Sequence, residues 1–187
     1  MNFAYSIVML SVAIALPAKA EENKKLKDLG ARIFKTNGVV SEINLNRSKI
    51  TDAELKILVT FKKLTDLSLE QTKITDEGLF QLANLTRLEW LNLFQTNVGD
   101  EGMAHLTKIR SLQYLQIGKT RLTDTGLAHI KKINSLKYLG LRGNKITDKG
   151  LTHLQELPHL TELHLGCLLY TSPSPRDRTR SRMPSSA

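Results

Sequence analysis

Aliphatic residues follow two alternating rhythms along this chain. From Val40 onward the chain divides without a gap into steps of 24: "VSEINLNRSKITDAELKILVTFKK", "LTDLSLEQTKITDEGLFQLANLTR", "LEWLNLFQTNVGDEGMAHLTKIRS", "LQYLQIGKTRLTDTGLAHIKKINS" and "LKYLGLRGNKITDKGLTHLQELPH". They begin at Val40, Leu64, Leu88, Leu112 and Leu136, and "LTELHLG" opens a sixth at Leu160. The first half of each step reads LxxLxL, so Leu67 and Leu69 fall on one side of a short strand. The second half spaces its apolar residues by three, as in Leu79, Leu82 and Leu85, which marks one face of a helix. A sustained internal repeat of this length predicts a solenoid, with one strand and one helix per coil.

Polar positions repeat with the same period. A Thr-Asp pair stands between the halves at Thr75-Asp76, Thr123-Asp124 and Thr147-Asp148. Asp before a helical pattern is expected to cap the first turn of its own helix. Gly78, Gly102, Gly126 and Gly150 follow two residues after their Asp, where they permit close backbone approach; Glu54 breaks the rule in the first repeat. The column Ser48, Thr72, Thr96, Thr120, Asn144 is expected to satisfy backbone groups in the bend after each strand.

These residues resemble the leucine-rich repeat family over Val39 to Gly166. The "ITDxGL" phrase is similar to its ribonuclease-inhibitor-like branch, and Thr in place of that branch's frequent Cys resembles secreted bacterial members. The resemblance implies an α/β right-handed horseshoe arc, with a parallel sheet on the concave face and helices on the convex face. No F-box is present in the sequence, so the ubiquitin-ligase role of one part of that branch does not carry over.

Outside the repeats the pattern changes. Phe3 to Leu16 is mostly apolar, Pro17 breaks it, and Ala18-Lys19-Ala20 fits a signal-peptidase site. Residues 1–20 are therefore expected to be a cleaved leader, placing the protein in a secreted or periplasmic compartment. If the leader stays uncleaved, it becomes a membrane anchor, although the run is shorter than the ~20 residues of a span. Residues 21–39 carry a helical pattern through Leu26 and Leu29, a stop at Gly30, and the hairpin signal Asn37-Gly38. They are expected to cap the first repeat, whose core edge needs a lid. Residues 40–166 form five complete repeats and a truncated sixth.

At the other end, "CLLYTSPSPRDRTRSRMPSSA" abandons the period and puts Pro175 inside the next helical half. Reverse translation of Cys167 to Asp177 and of Ser181 to Ala187 matches the two parts of a transposase-type sequencing adapter, with Arg178-Thr179-Arg180 in the barcode between them. Residues 167–187 therefore read as adapter-derived, non-native and disordered. The natural protein is expected to continue past Gly166.

Charge refines the picture only after that tail is set aside. The net charge is +9, but the tail carries four Arg against one Asp and the leader holds Lys19. Glu21 to Gly166 then has 22 basic and 17 acidic side chains, interspersed and without a recognition motif, which argues against nucleic acid as a partner. The single cysteine, Cys167, leaves the repeats without a disulfide or a Cys-based metal site.

Candidate chemistry lies on the implied concave face. In that fold the third, fifth and seventh residues of each repeat leave the strand there. The third column holds Trp90, Tyr114 and Tyr138 in successive repeats, and Phe94 joins from the seventh. With strands ~4.8 Å apart, the column's three rings are expected to form a ladder of roughly 10 Å. Asn92, Gln116, Arg142 and His164 surround it. Exposed aromatics beside Arg have the composition of a binding hot spot. The same rings equally serve as sheet stabilisers, at ~0.2–1 kcal/mol per cross-strand pair.

His105, His129 and His153 repeat at one helical position. Helices 8–10 Å apart cannot easily share an ion whose Zn–N bonds need ~2.0–2.1 Å, so no metal and no cofactor is expected. Asn46-Arg47-Ser48 and Asn84-Leu85-Thr86 are glycosylation sequons. No paired acid, activated nucleophile or phosphate loop is visible, so the chain is read as non-enzymatic. The expected function is an exported module binding a protein or peptide, or in a variant reading a glycan, through Trp90, Asn92, Phe94, Tyr114, Gln116, Tyr138 and Arg142. The alternative is a recognition arm of a larger enzyme or signalling protein.

Overall fold

The computed structural model describes residues 20–166. The expected leader apart from Ala20, and the tail expected to be adapter-derived, lie outside the described residues. A helix α1 over residues 20–28 is followed by an antiparallel hairpin, β1 (Arg32–Thr36) and β2 (Val39–Asn44). Asn37 and Gly38 both take positive φ, 51° and 77°, as the tightest hairpin turns require. Leu26 of α1 and Ala31 are buried against the repeat core.

Strand and helix then alternate: α2 (Asp52–Leu55), β3 (Asp66–Ser68), α3 (Asp76–Leu82), β4 (Trp90–Asn92), α4 (Asp100–Leu106), β5 (Tyr114–Gln116), α5 (Asp124–Ile130), β6 (Tyr138–Gly140), α6 (Asp148–Thr152) and β7 (Glu162–His164). Short 3-10 turns extend α2 (Lys56–Thr60) and α6 (His153–Glu156). The seven strands form one open sheet in chain order, and β2 to β7 are parallel. Leu67, Leu91, Leu115 and Leu139 are register partners with no solvent exposure. They stack between sheet and helices, whose Leu79, Leu82, Leu106, Leu127 and Ile130 are equally enclosed. On the last strand the equivalent Leu163 is 39% exposed.

The Asp column differs from its sequence reading. The N-cap residue is the one before each Asp: Thr51, Thr75, Gly99, Thr123 and Thr147, all with extended backbone. Asp begins its helix and reaches forward into the next repeat. Asp52 accepts from the amide and hydroxyl of Thr75 at 3.0 and 2.6 Å, and Asp124 from those of Thr147 at 2.8 and 2.5 Å. Asp76 accepts from the Gly99 amide at 2.6 Å.

The reason is positional. From the second coil on, the donors at the N-cap meet the carboxylate of the preceding coil. The glycine column follows from the same contact. A Cβ on Gly78, Gly102, Gly126 or Gly150 would collide with the preceding repeat's Asp carboxylate, so the close approach is by a side chain rather than by backbone. Glu54 is tolerated because no repeat precedes it. Its carboxylate instead reaches back to the amide and hydroxyl of Thr51, at 2.8 and 2.6 Å.

The bend column satisfies backbone. Thr72, Thr96 and Thr120 donate to the carbonyls of Leu69, Leu93 and Ile117 at 2.6, 2.8 and 3.0 Å. Asn144 accepts from the Thr120 amide and donates to the Ile117 carbonyl. Among the described residues, no helix is long and apolar enough to cross a membrane.

Candidate binding face

The sheet surface opposite the helices carries the third, fifth and seventh residues of every repeat. Parallel register places Asp66, Trp90, Tyr114, Tyr138 and Glu162 in one row across five strands. The first four flank the enclosed Leu67, Leu91, Leu115 and Leu139, Glu162 flanks the more open Leu163, and strand alternation turns the row outward. Tyr114 is 38% exposed, Trp90, Tyr138 and Phe94 are half-buried, and Arg142 is exposed.

The rings do not make the simple three-membered ladder expected. Tyr114 and Tyr138 lie with centroids 6.5 Å apart at 34°, and Tyr138 continues onto His164 at 5.0 Å and 43°. Trp90 shares their row but makes no ring pair with Tyr114 among the described residues. Phe94 turns instead across Gly118, where a Cβ would stand 2.9 Å from the ring, and Lys119 Nζ lies 5.7 Å from its centroid.

Two expected contact residues have other work. Asn92 is buried; its Oδ1 accepts from the Phe94 amide at 2.9 Å and its Nδ2 donates to Glu70 at 3.2 Å. It therefore helps hold the turn that presents Phe94, with both ends of its amide already engaged. Gln116 folds its amide over Gly140, which has no side chain to displace it, and its Oε1 is buried without a protein donor. The Arg142 stem runs beside Gly166, with Cγ and Cδ 3.8 Å from where a Cβ would be.

His164, expected beside the rings, extends their stack. Two further side chains on this face have no signal in the repeat pattern. Lys119 belongs to the eighth column, whose residue types are mixed. Phe34, 49% exposed, pairs directly with Glu42 across the hairpin and so joins the outward row. Its place depends on the β1–β2 register, which a lone Ile33-Phe34 pair in a hairpin does not reveal.

Elsewhere, His105, His129 and His153 stand on three successive helical elements, and His105 packs edge-on against Phe80 at 5.4 Å. No group of three His, Cys, Asp or Glu side chains gathers to ligate a metal among the described residues. In the sequons, Asn46 is already engaged with Ser68 and the Glu70 amide, whereas Asn84 is exposed.

An open parallel sheet with one helix per 24-residue coil defines the class: an α/β leucine-rich repeat solenoid. Leucine-rich repeat family models match residues 110–166 and 62–83. The fold is similar to internalin C2 from Listeria monocytogenes, at 29% identity and a TM-score of 0.55, covering 71% of this chain and 54% of that one. It also resembles two Arabidopsis thaliana receptor-kinase ectodomains. GASSHO1/SCHENGEN3, in complex with CASPARIAN STRIP INTEGRITY FACTOR 2, has 21% identity and a TM-score of 0.53, covering 71% and 16%. HAESA, in complex with an N-terminally extended IDA peptide hormone ligand, has 20% identity and a TM-score of 0.51, covering 72% and 27%. The chain thus spans about half of the internalin and smaller parts of the receptors. No match is found among curated proteins. These matches and the fold support a leucine-rich repeat protein.

Proposed function

We propose that the protein is an exported, non-catalytic recognition module that binds a protein or peptide on the outward sheet face. The observation that carries this reading is the row Trp90, Tyr114 and Tyr138, aligned on adjacent strands and partly open to solvent beside Phe94 and Arg142. Aromatic surface there offers large contact area at low entropic cost, and Arg142 supplies directed donors. A glycan reading uses the same rings as flat platforms. The unpartnered acceptor of Gln116 suits a ligand hydroxyl or amide donor, once its side chain turns outward.

Affinity capture and a glycan array, run on the wild-type chain and on the Trp90→Ala/Tyr114→Ala variant, test the site. A ligand held by the first and lost from the second supports it. Equal retention refutes it, and a purely structural role predicts only a modest loss of stability. Export is tested by mass spectrometry of the secreted product, whose N-terminus is expected at Glu21. As a second reading, the face is the recognition arm of a longer protein, consistent with the partial coverage of longer neighbours. A catalytic or membrane-spanning domain encoded downstream would favour that arrangement.

A further inference from the structure

The hairpin adds a feature to the outward row that the repeats alone do not have. Reading across β1 to β4, the row is Phe34, Glu42, Asp66, Trp90. Two aromatic side chains thus bracket two carboxylates on adjacent strands. Like charges directly opposite one another in a sheet are unfavourable. Among the described residues neither carboxylate has a cation within 4 Å: the ion pairs there are Lys25–Glu21 and Lys131–Glu156. Among the described residues Asp66 accepts only from its neighbour Thr65 Oγ1, at 2.6 Å. Arg32 lies opposite Asn44, and pairs with neither acid. No ion pair among the described residues offsets this juxtaposition, whereas a cation arriving from outside would find two carboxylates and two flanking rings.

We propose that this half of the face takes an extended peptide in which a Lys or Arg lies midway between two apolar anchors, at positions i, i+2 and i+4. The spacing follows from strand geometry. Phe34 and Trp90 are three strand steps apart, about 14 Å at ~4.8 Å per step. Four residues of extended chain also cover about 14 Å at ~3.4 Å each, and alternate side chains point the same way. The anchors rest on Phe34 and Trp90, and the cation between them sits over Glu42 and Asp66. The inference rests on the reading of this face as a binding surface.

The test is selection of a displayed library of random 12-residue peptides on the full-length chain, followed by fluorescence anisotropy with a synthetic consensus peptide. Basic residues are expected at i+2 between apolar residues at i and i+4. Glu42→Gln/Asp66→Asn, near-isosteric and at the surface, is expected to weaken the peptide about tenfold by removing charge-assisted contacts. Raising the salt should weaken binding to the wild-type chain and leave that variant nearly unaffected. A consensus lacking the central cation, or equal affinity for the neutralised variant while Trp90→Ala loses the peptide, overturns the proposal and leaves the binding face intact. Equal affinity for Trp90→Ala and Tyr114→Ala as well overturns both, and no enriched peptide at all overturns the proposal alone. Circular dichroism of each variant separates lost contacts from lost fold.

Discussion

At Asp100 one carboxylate accepts three hydrogen bonds from the following repeat: the Thr123 amide at 2.8 Å, the Thr123 hydroxyl at 2.6 Å and the Gly126 amide at 3.0 Å. Replacing it with Ala leaves part-buried donors without that acceptor. Asp100→Ala is therefore expected to cost about 2–3 kcal/mol in urea unfolding. Asp148, exposed and with no such bond among the described residues, should lose well under 1 kcal/mol on the same change. Equal losses at the two sites would show that the carboxylate acts only on its own helix. Glu54 supplies the pH-dependent counterpart. Hydrogen bonds from the Thr51 hydroxyl and then the Thr51 amide hold its carboxyl below the usual value. A depressed folded-state pKa adds stability above the unfolded pKa, and that stability disappears as pH falls through the folded value. Glu54→Gln should lower the urea midpoint at neutral pH, and the gap to wild type should close below about pH 4, the ordinary Glu range. A gap independent of pH would exclude the Thr51 contacts as its source.

Among the elements, the bend after each strand contains a conformational demand that the residue pattern conceals. Arg47, Gln71, Gln95 and Lys119 all sit at φ between 52° and 58°, and Gly143 at 75°. An L side chain there costs roughly 1–2 kcal/mol, and only Gly143 avoids it. Gly143→Val should therefore lower stability by about 1–2 kcal/mol by calorimetry, because a β-branched residue suits this region least. The column was illegible in the sequence: Arg, Gln and Lys carry no left-handed signature, and four of the five positions tolerate the strain within a well-bonded turn. The strands and helices were legible, since Leu67, Leu91, Leu115 and Leu139 repeat at one spacing and are all enclosed. The Asp column was legible as a recurring position, but its partner was not. An acid ahead of a helix looks the same whether it caps its own turn or the next coil's, and only stacking distinguishes the two. On the outward face the row of rings was readable from the period. Asn92 holding the Phe94 turn, Phe94 lying over Gly118 and Phe34 joining from the hairpin all depend on register and side-chain direction.

Across the whole molecule, each coil is stabilised by its two neighbours, so one substitution has different consequences at different distances from the end of the described sheet. Leu139 and Leu163 occupy the same position in successive strands, but Leu139 is wholly enclosed and Leu163 is 39% exposed on the last strand. Leu139→Ala opens a cavity between β5 and β7 and is expected to cost about 2–5 kcal/mol. Leu163→Ala removes a side chain already in partial contact with water and should cost less than half as much. Stability in a stacked array is roughly a sum of coil and interface terms, and native-state hydrogen exchange can locate the loss. For Leu139→Ala the amides of β6, β7 and α6 should exchange faster while those of β3 and α3 keep most of their protection. A uniform loss across the chain would instead mean that the repeats unfold as one cooperative block. The outward row would then be only as rigid as its weakest coil, and Phe34 and Tyr138 would present themselves to a ligand together or not at all.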